Sequence, residues 1–215
     1  MTPSAAIGRL SLILLCALFA GCGGPVERSI GAEASPPVEG DLATAIFAAG
    51  CFWCVEEAFD AVAGVVETES GYIGGHVANP TYRQVTAGGT GHTEAVRVRY
   101  DPEQVSYEEL LHVFWRNTDP TDAGGQFCDR GSSYRAGIFY LDADQERLAR
   151  ASRLALEEDP EAPAPIVTEV TAASTFYVAE DFHQGYYLRN PLRYRYYKSA
   201  CGREARLEQL WGPTG

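Results

Sequence analysis

The alternation of apolar and polar positions predicts a series of short strands and helices from about residue 44 onward. Strand-type patterns cover 44–49, 65–72, 93–100, 136–141 and 166–170. Helix-type patterns cover 52–62, 107–116 (after a capping box, Ser106-x-x-Glu109), 144–158 and a short stretch at 179–188. Residues 74–91 are predicted to form a long loop. This order predicts an α+β fold, a ferredoxin-like split βαβ sandwich with a long irregular C-terminal tail rich in Tyr and Arg.

One strand carries a candidate acid. Along 93–100, Glu94 shares its face with Val96 and Val98 and is therefore expected to point toward the apolar side. Burial would raise the pKa of its carboxyl and keep it protonated near neutral pH, which suits a general acid. The alternative is a glutamate at a strand end whose side chain reaches solvent.

The N-terminal segment predicts export. Arg9 precedes an apolar run, Leu10–Phe19, which is short for a membrane span. The run ends Leu18-Phe19-Ala20-Gly21-Cys22, which resembles the lipobox of bacterial lipoproteins. We therefore expect a signal peptide at 1–21, lipidation of Cys22, a flexible tether at 22–41 and one folded domain at 42–215. An ordinary cleaved signal is the alternative.

The same features predict a location and limit the partners. The domain is expected on the periplasmic side, and Gly23 after the lipidated cysteine favours the outer membrane over the inner one. The formal net charge of −12 argues against nucleic acid or anionic lipid as a partner. Membrane contact is therefore expected only through the lipid anchor, and the chain is expected to be a monomer.

The cysteines indicate redox chemistry. Removing Cys16 with the signal and lipidating Cys22 would leave four thiols: Cys51, Cys54, Cys128 and Cys201. An even set in an exported protein is typical of structural disulfides, but a domain of this size does not need them. Cys51 stands where a strand gives way to a helix, and unpaired N–H groups at a helix N-terminus favour the reactive thiolate. A buried structural cysteine or a plain disulfide remains the alternative.

Several motifs occur in a fixed order along the chain. They are 50–59 (GCFWCVEEAF), 71–75 (GYIGG), 79–82 (NPTY), 90–96 (TGHTEAV), 100–102 (YDP), 119–121 (DPT), 129–135 (DRGSSYR) and 179–184 (AEDFHQ). Together they resemble the A-class peptide methionine sulfoxide reductases, from about Ile46 to the C-terminal tail. The resemblance implies a ferredoxin-like catalytic domain that reduces the S epimer of methionine sulfoxide, free or in proteins, with no cofactor and no metal.

The resemblance also assigns roles to residues of this chain. It implies Cys51 as the nucleophile, Glu94 as the acid, Tyr82 and Tyr134 as donors to the sulfoxide oxygen, Asp129 as a carboxylate of the site, and Phe52 and Trp53 as walls for the substrate methyl group. Attack would leave a sulfenic acid on Cys51, which a second thiol converts to a disulfide and a thioredoxin-like dithiol then reduces. Cys201 in a mobile tail ranks first as this resolving thiol, before Cys54 and Cys128, neither of which belongs to the commonest family pattern.

Three other classes of protein fit parts of the sequence. Cys51-x-x-Cys54 would suit a thioredoxin-like thiol–disulfide oxidoreductase, although the Trp expected before such a motif lies inside it. His92-Thr93-Glu94 with the same cysteines resembles the active-site motif of zinc deaminases, but in reversed order. A periplasmic binding lipoprotein with structural disulfides is the non-enzymatic alternative.

Overall fold

The computed structural model describes residues 41–213, so the predicted signal peptide, Cys22 and nearly all of the tether lie outside the described residues. The strands are β1 Ala43–Ala48, β2 Val65–Ile73, β3 Thr93–Tyr100, β4 Gly125–Gln126, β5 Asp129–Arg130, β6 Gly137–Tyr140, β7 Glu169–Ala172 and β8 Tyr177–Val178. The helices are α1 Phe52–Asp60, α2 Tyr82–Ala87, α3 Tyr107–Arg116, α4 Ala143–Glu158, α5 Tyr186–Arg189, α6 Pro191–Ala200 and α7 Arg203–Trp211, and a 3₁₀ turn covers Ser132–Tyr134. Within 41–213, no helix has the length and apolar character that crossing a bilayer requires.

Six strands form the main sheet in the order β7-β6-β1-β3-β2-β8. All neighbouring pairs are antiparallel except β6 and β7. The four central strands, β6-β1-β3-β2, have the order that two interleaved split βαβ units produce, with α1 linking β1 to β2. The predicted α+β class is confirmed.

The core fixes α1 against the sheet. Phe47 on β1 stacks on Phe59 of α1 with ring centroids 4.8 Å apart and on Phe114 of α3 at 5.4 Å. All three side chains are buried, and each such aromatic contributes a large apolar area to the core. Because α1 packs on β1 and β3, its first residues lie at one end of these two strands.

Two sequence predictions about regular structure are wrong. The segment 74–91 contains α2, which Thr81 and Gln84 cap by a reciprocal capping box of the same kind as the one found at Ser106. The C-terminal tail is not irregular, since it forms α5, α6 and α7. Its alternating Tyr and Arg residues have no clear helical stripe. The helix instead gains contacts from the fold: Tyr194 is buried and donates a hydrogen bond to Glu57 of α1 at 2.6 Å.

Candidate active site

Cys51 lies in the turn between β1 and α1, as the N-cap residue of the helix. The preceding Gly50 has φ +83°, and a Cβ there would come within 2.6 Å of the Gln126 side chain. Only glycine accommodates both this backbone conformation and this close approach. The turn therefore places the Cys51 thiol at the end of the sheet, where it is 6% exposed.

A cavity of about 60 Å³ opens onto this thiol. Its walls are Cys51, Phe52, Trp53, Tyr82, Glu94, Asp129, Tyr134 and Tyr197. The structure thus brings together every residue that the resemblance placed at the sulfoxide site, from α1, α2, β3, β5 and the 3₁₀ turn. A water molecule occupies about 30 Å³ of liquid, so the cavity has room for roughly two water-sized groups.

Glu94 is buried in this cavity, with 1% of its surface exposed. Its carboxyl accepts a hydrogen bond from the backbone N–H of Phe52 at 3.0 Å. Burial raises the pKa of Glu94 well above its usual range, and the nearby charges of Asp129 and Cys54 add to the rise. The alternative of a glutamate that reaches solvent is therefore wrong, and burial favours the protonated form of the carboxyl.

Two phenols face the same space. Tyr82 and Tyr134 both line the cavity beside Glu94. Burial and the nearby Glu94 raise the pKa of Tyr82 to about 12 and that of Tyr134 further. Both groups stay protonated and can donate to an oxygen atom in the cavity.

Tyr197 on α6 is a member of the site that the sequence did not predict. Its hydroxyl donates to Asp129 Oδ2 at 2.5 Å, and its side chain lines the cavity together with Cys51. Because the pattern of the tail predicts no helix there, no local signal points to this residue. The later sequence Ala200-Cys201-Gly202 indicates where α6 ends. The position of Tyr197 at the cavity, however, depends on the packing of α6 against α1.

The aromatic wall is held from behind by His183. The indole N–H of Trp53 donates to His183 Nδ1 at 3.1 Å, and the Trp53 ring stacks on Tyr186 with centroids 3.7 Å apart. The Phe52 ring lies 4.8 Å from the imidazole. Burial lowers the pKa of His183 to about 4, so the ring is neutral and accepts this hydrogen bond. His183 therefore supports the aromatic wall and does not itself line the cavity.

The two buried thiols, Cys51 and Cys54, have opposite pKa shifts. Burial and the hydrogen bond to Cys54 raise the pKa of Cys51, whereas the hydrogen bond from Cys51, together with Arg203, Tyr194 and Lys198, lowers the pKa of Cys54 to about 7. The burial that raises the pKa of Cys51 opposes the thiolate that the helix N-terminus was expected to favour.

The other two cysteines form a disulfide, Cys128–Cys201. Cys128 is exposed and Cys201 is half-buried at the end of α6. The structure therefore does not place a free Cys201 thiol on a mobile tail, in contrast to the expectation from the sequence. Asp129 Oδ2 lies 4.0 Å from Cys201 Sγ, so this disulfide borders the cavity wall.

His92 does not form a metal site with the buried cysteines. Its Nδ1 accepts the Gly75 N–H at 3.2 Å and its Nε2 bonds the Val77 carbonyl at 2.8 Å, so both ring nitrogens hold the loop before β3. Among residues 41–213, one group of potential metal ligands comes together, Cys128, Asp129 and Cys201, and its two sulfurs are bonded to each other. The arrangement gives no support to the zinc alternative.

Comparison with known proteins identifies the family. The family model described as peptide methionine sulfoxide reductase matches residues 43–214. A peptide methionine sulfoxide reductase MsrA 2 of Caulobacter vibrioides is 48% identical over 198 residues, covering 92% of this chain and 98% of the relative. Another, from Rhizobium meliloti, is 54% identical over 168 residues, covering 78% of this chain and 83% of the relative.

Solved structures agree with this result. Methionine sulfoxide reductase A of Corynebacterium diphtheriae superposes with a TM-score of 0.65 at 37% identity, covering 70% of this chain and 76% of that one. Neither a thioredoxin-like oxidoreductase nor a binding lipoprotein is consistent with a family match of this extent. The chain belongs to the peptide methionine sulfoxide reductases of the A class, and it is an oxidoreductase that reduces methionine sulfoxide.

Proposed function

We propose that this chain reduces the S epimer of methionine sulfoxide, free and within proteins, in the cavity at Cys51. The observation that carries the proposal is the buried, protonated Glu94, which faces the same small cavity as the Cys51 thiol and two phenol donors. A general acid, a nucleophile and oxygen-binding groups in one water-excluding pocket are what removal of a sulfoxide oxygen requires.

The first chemical step transfers oxygen to Cys51. Tyr82 and Tyr134 hold the sulfoxide oxygen, and Glu94 protonates it as the Cys51 sulfur attacks the sulfoxide sulfur. The proton of Cys51 moves to Cys54, whose pKa of about 7 suits it as the acceptor. The protonated oxygen then passes from the substrate sulfur to the Cys51 sulfur as the bond between the two sulfurs breaks. Methionine leaves as the thioether, and Cys51 carries the oxygen as a sulfenic acid.

The asymmetry of the cavity supports the choice of epimer. One wall is aromatic, formed by Phe52 and Trp53, and suits the substrate methyl group. Glu94 and the tyrosine hydroxyls supply the polar part of the lining, which suits the oxygen. Exchanging the two substituents in the R epimer would press its oxygen against the aromatic rings and leave the buried donors unpaired, which costs on the order of 1–3 kcal/mol per group.

Cys54 is the resolving thiol that the geometry favours. It is a free thiol in the same buried cluster as Cys51, whereas Cys201 is bonded to Cys128. Condensation of the Cys51 sulfenic acid with the Cys54 thiol forms one S–S bond and releases one water molecule. A thioredoxin-like dithiol then returns the protein to its reduced state. Cys201, ranked first from the sequence, would act after this step rather than in it.

A dithiothreitol-driven assay on the two separated epimers of a methionine sulfoxide peptide tests the proposal. We expect turnover of the S epimer and none above background for the R epimer. Equal rates on the two epimers would contradict the proposed substrate orientation, and absence of turnover on both would contradict the function itself.

We further propose that the domain works as a lipid-anchored monomer on the periplasmic side of a membrane, with the outer membrane favoured, and repairs exported proteins there. The support is the sequence Leu18-Phe19-Ala20-Gly21-Cys22 after a short apolar run, and the fact that one chain supplies all walls of the cavity. Two or three acyl chains anchor a protein stably where one would be marginal. The compartment would be oxidising, so the dithiol reductant must itself be exported or fed from the membrane.

Cell fractionation of the wild type and Cys22→Ala tests the location. The wild type should be found with membranes, and Cys22→Ala should lose the mature, membrane-bound form. If both were soluble, the anchor would be excluded, and if both stayed in the cytoplasm, export would be excluded as well.

A further inference from the structure

We propose that the outer surface of α5, α6 and the turn before them binds acidic polypeptide segments that flank the oxidised methionine of a protein substrate. This inference rests on the proposed function, because it concerns how the sulfoxide cavity receives its protein substrates. We call this surface the α6 face. It consists of four exposed apolar side chains and three exposed arginines: Phe182, Leu188, Leu192 and Tyr196, with Arg189, Arg193 and Arg195.

The sulfoxide cavity holds only the tip of a side chain. Its volume of about 60 Å³ has room for roughly two water-sized groups, which the sulfoxide oxygen and the methyl group fill. When the sulfoxide belongs to a polypeptide, the backbone and the flanking side chains must therefore lie on the protein surface around the cavity. The composition of that surface then determines which flanking sequences bind well.

The α6 face is the most exposed apolar surface of the described chain. Nine large hydrophobic side chains are exposed within residues 41–213, and the four with the highest exposed fractions all lie in the stretch 182–196. They are Tyr196 at 78%, Leu192 at 76%, Leu188 at 68% and Phe182 at 58%. Exposed apolar residues that occur singly are ordinary, whereas a cluster of them is typical of an interaction surface.

The charge of this stretch is opposite to that of the whole protein. The chain has a formal net charge of −12, yet the sequence from Phe182 to Arg203 contains five Arg or Lys residues and no Asp or Glu. A positive region on an acidic protein attracts acidic partners locally, although the protein as a whole repels them. The α6 face therefore combines apolar contact area with positive charge.

The three arginines of the α6 face form no salt bridge with any carboxylate of residues 41–213. Arg189 and Arg195 donate only to backbone carbonyls, those of Asp181 and Pro191. Several arginines elsewhere on the surface are instead paired with carboxylates, as Arg99 is at 2.8 Å. The charges on the α6 face are thus available to the Asp and Glu side chains of a partner.

Tyr197 connects the α6 face to the sulfoxide cavity. This residue lines the cavity, and Arg193 lies one helical turn earlier on α6, about 6 Å along the axis. At about 100° per residue, Leu192 and Tyr196 project from the side of α6 opposite the buried Tyr194, and Arg193 lies between them and Tyr197. An extended chain advances about 3.3 Å per residue, so residues two to four positions from the sulfoxide reach this face.

Phe182 provides a second connection to the cavity wall. Its ring centroid lies 4.0 Å from that of His183. The His183 ring in turn lies 4.8 Å from Phe52 and 4.4 Å from Tyr82, which both line the cavity. The α6 face is therefore continuous with the cavity wall at two places, as a surface for the flanking parts of a substrate must be.

An anionic membrane is the other partner that arginines and exposed aromatic side chains would attract. The net charge of −12 opposes the approach of the whole domain to such a membrane. A short polypeptide segment meets only the local charge of the α6 face. Because the face also adjoins the cavity, the observations favour a polypeptide over a lipid surface.

The first test measures turnover of three nonapeptides with a central S sulfoxide, with dithiothreitol as the reductant so that no protein reductant occupies the surface. The flanking positions alternate Leu with Asp, Asn or Lys. KM should be about 3- to 10-fold lower for the Asp peptide than for the Asn peptide, with kcat unchanged, because each exposed ion pair contributes up to roughly fivefold in binding. The difference should disappear in about 0.5 M salt, which screens such pairs. Equal KM values at low salt would overturn the proposal.

The second test removes two charges with Arg193→Gln and Arg195→Gln in one chain. The KM values for the Asp and Asn peptides should become equal, while turnover of free methionine sulfoxide and the circular dichroism spectrum should not change. Arg193→Glu with Arg195→Glu should reverse the preference and favour the Lys peptide. A preference for the Asp peptide that persists in both variants would contradict the assignment to the α6 face.

Arg147→Gln with Arg150→Gln is the matched control. It removes the same two charges from α4, where both arginines are exposed and pair only within the helix. This control should keep the preference for the Asp peptide. An equal loss in the control would mean that the preference comes from the net charge of the protein, and would overturn the proposal.

Binding measurements distinguish the other partners. If the two glutamine substitutions on α6 abolished binding to phosphatidylglycerol vesicles but left every peptide KM unchanged, the face would be a membrane contact. If they altered only turnover driven by thioredoxin, it would be a contact for the reductant, and either result would overturn the proposal. If the wild type reduced no sulfoxide at all, the proposed function would fail. Fluorescence anisotropy of a labelled Asp peptide with the wild type and the glutamine variant would still decide whether the α6 face binds it.

Discussion

Replacing Glu94 with glutamine should remove the acidic proton while keeping the shape of the side chain. Glutamine has the same length, and its carbonyl oxygen can still accept the Phe52 N–H that Glu94 accepts at 3.0 Å. The fold around the cavity should therefore survive. What is lost is the proton that Glu94 gives to the sulfoxide oxygen, and general acid catalysis contributes about 10²–10⁴ in rate. This loss corresponds to roughly 3–5 kcal/mol in the barrier of the reductase step.

Single-turnover release of methionine from pre-reduced protein is the appropriate assay, because it excludes the recycling steps. Glu94→Gln should be slower by about 10²–10⁴ with a normal circular dichroism spectrum. The wild-type rate should also fall at alkaline pH, as Glu94 loses its proton, and the variant should lack this limb. Glu67→Gln is the matched control, since Glu67 pairs with Arg99 on the exposed side of the same sheet, and it should leave the rate unchanged. A loss below about threefold for Glu94→Gln would refute the role of Glu94 as the acid.

Glu94→Gln should also change how the free energy of unfolding depends on pH. The pKa of Glu94 is higher in the folded than in the unfolded chain, where it is about 4.3. The stabilising contribution of this group is therefore fully present below pH ~4 and is lost as pH rises toward the folded pKa, because the unfolded chain has already released the proton. Between these two pKa values the free energy of unfolding falls by about 1.4 kcal/mol per pH unit, and glutamine, which does not titrate, contributes no such slope. Urea unfolding at several pH values should show the free energy of unfolding of Glu94→Gln rising relative to that of the wild type as pH increases. Parallel curves for the two proteins would mean that Glu94 is ionised in the folded protein.

Two further substitutions test the thiol chemistry. Cys54→Ser should still release about one methionine per protein but should accumulate the Cys51 sulfenic acid, detectable with dimedone, because no neighbouring thiol remains to condense with it; rapid disulfide formation to Cys51 in this variant would return the resolving role to Cys201. Tyr197→Phe keeps the aromatic wall but removes the hydrogen bond to Asp129, so the single-turnover rate should fall by roughly 2- to 10-fold, and an unchanged rate and pH profile would show that this hydroxyl has no positioning role.

Local patterns in the sequence determined much of the fold and the reacting groups. The alternation over 93–100 correctly placed Glu94 on the buried face, because side chains of a strand alternate whatever the strand pairs with. The capping box at Ser106 marked the start of α3 for a similarly local reason. The motifs that occur in a fixed order from 50–59 to 179–184 together indicated the family.

Other features depended on contacts that no local pattern encodes. The tail became helical because Tyr194 and Tyr197 pack against α1, more than 130 residues earlier in the chain, and only this packing brought Tyr197 to Cys51. The pairing of Cys128 with Cys201, 73 residues apart, is likewise a property of the folded chain.

The pKa values of the two buried thiols likewise depend on contacts in the folded chain. The sequence places Cys51 at a helix N-terminus, which favours its thiolate, and says nothing about how deeply that end of the helix is buried. In the fold, desolvation raises the pKa of Cys51, and Arg203 and Lys198 from the C-terminal helices help to lower that of Cys54. The sequence alone predicted most of the residues that line the cavity, while burial and charges from distant parts of the chain shifted the pKa values of its two thiols in opposite directions.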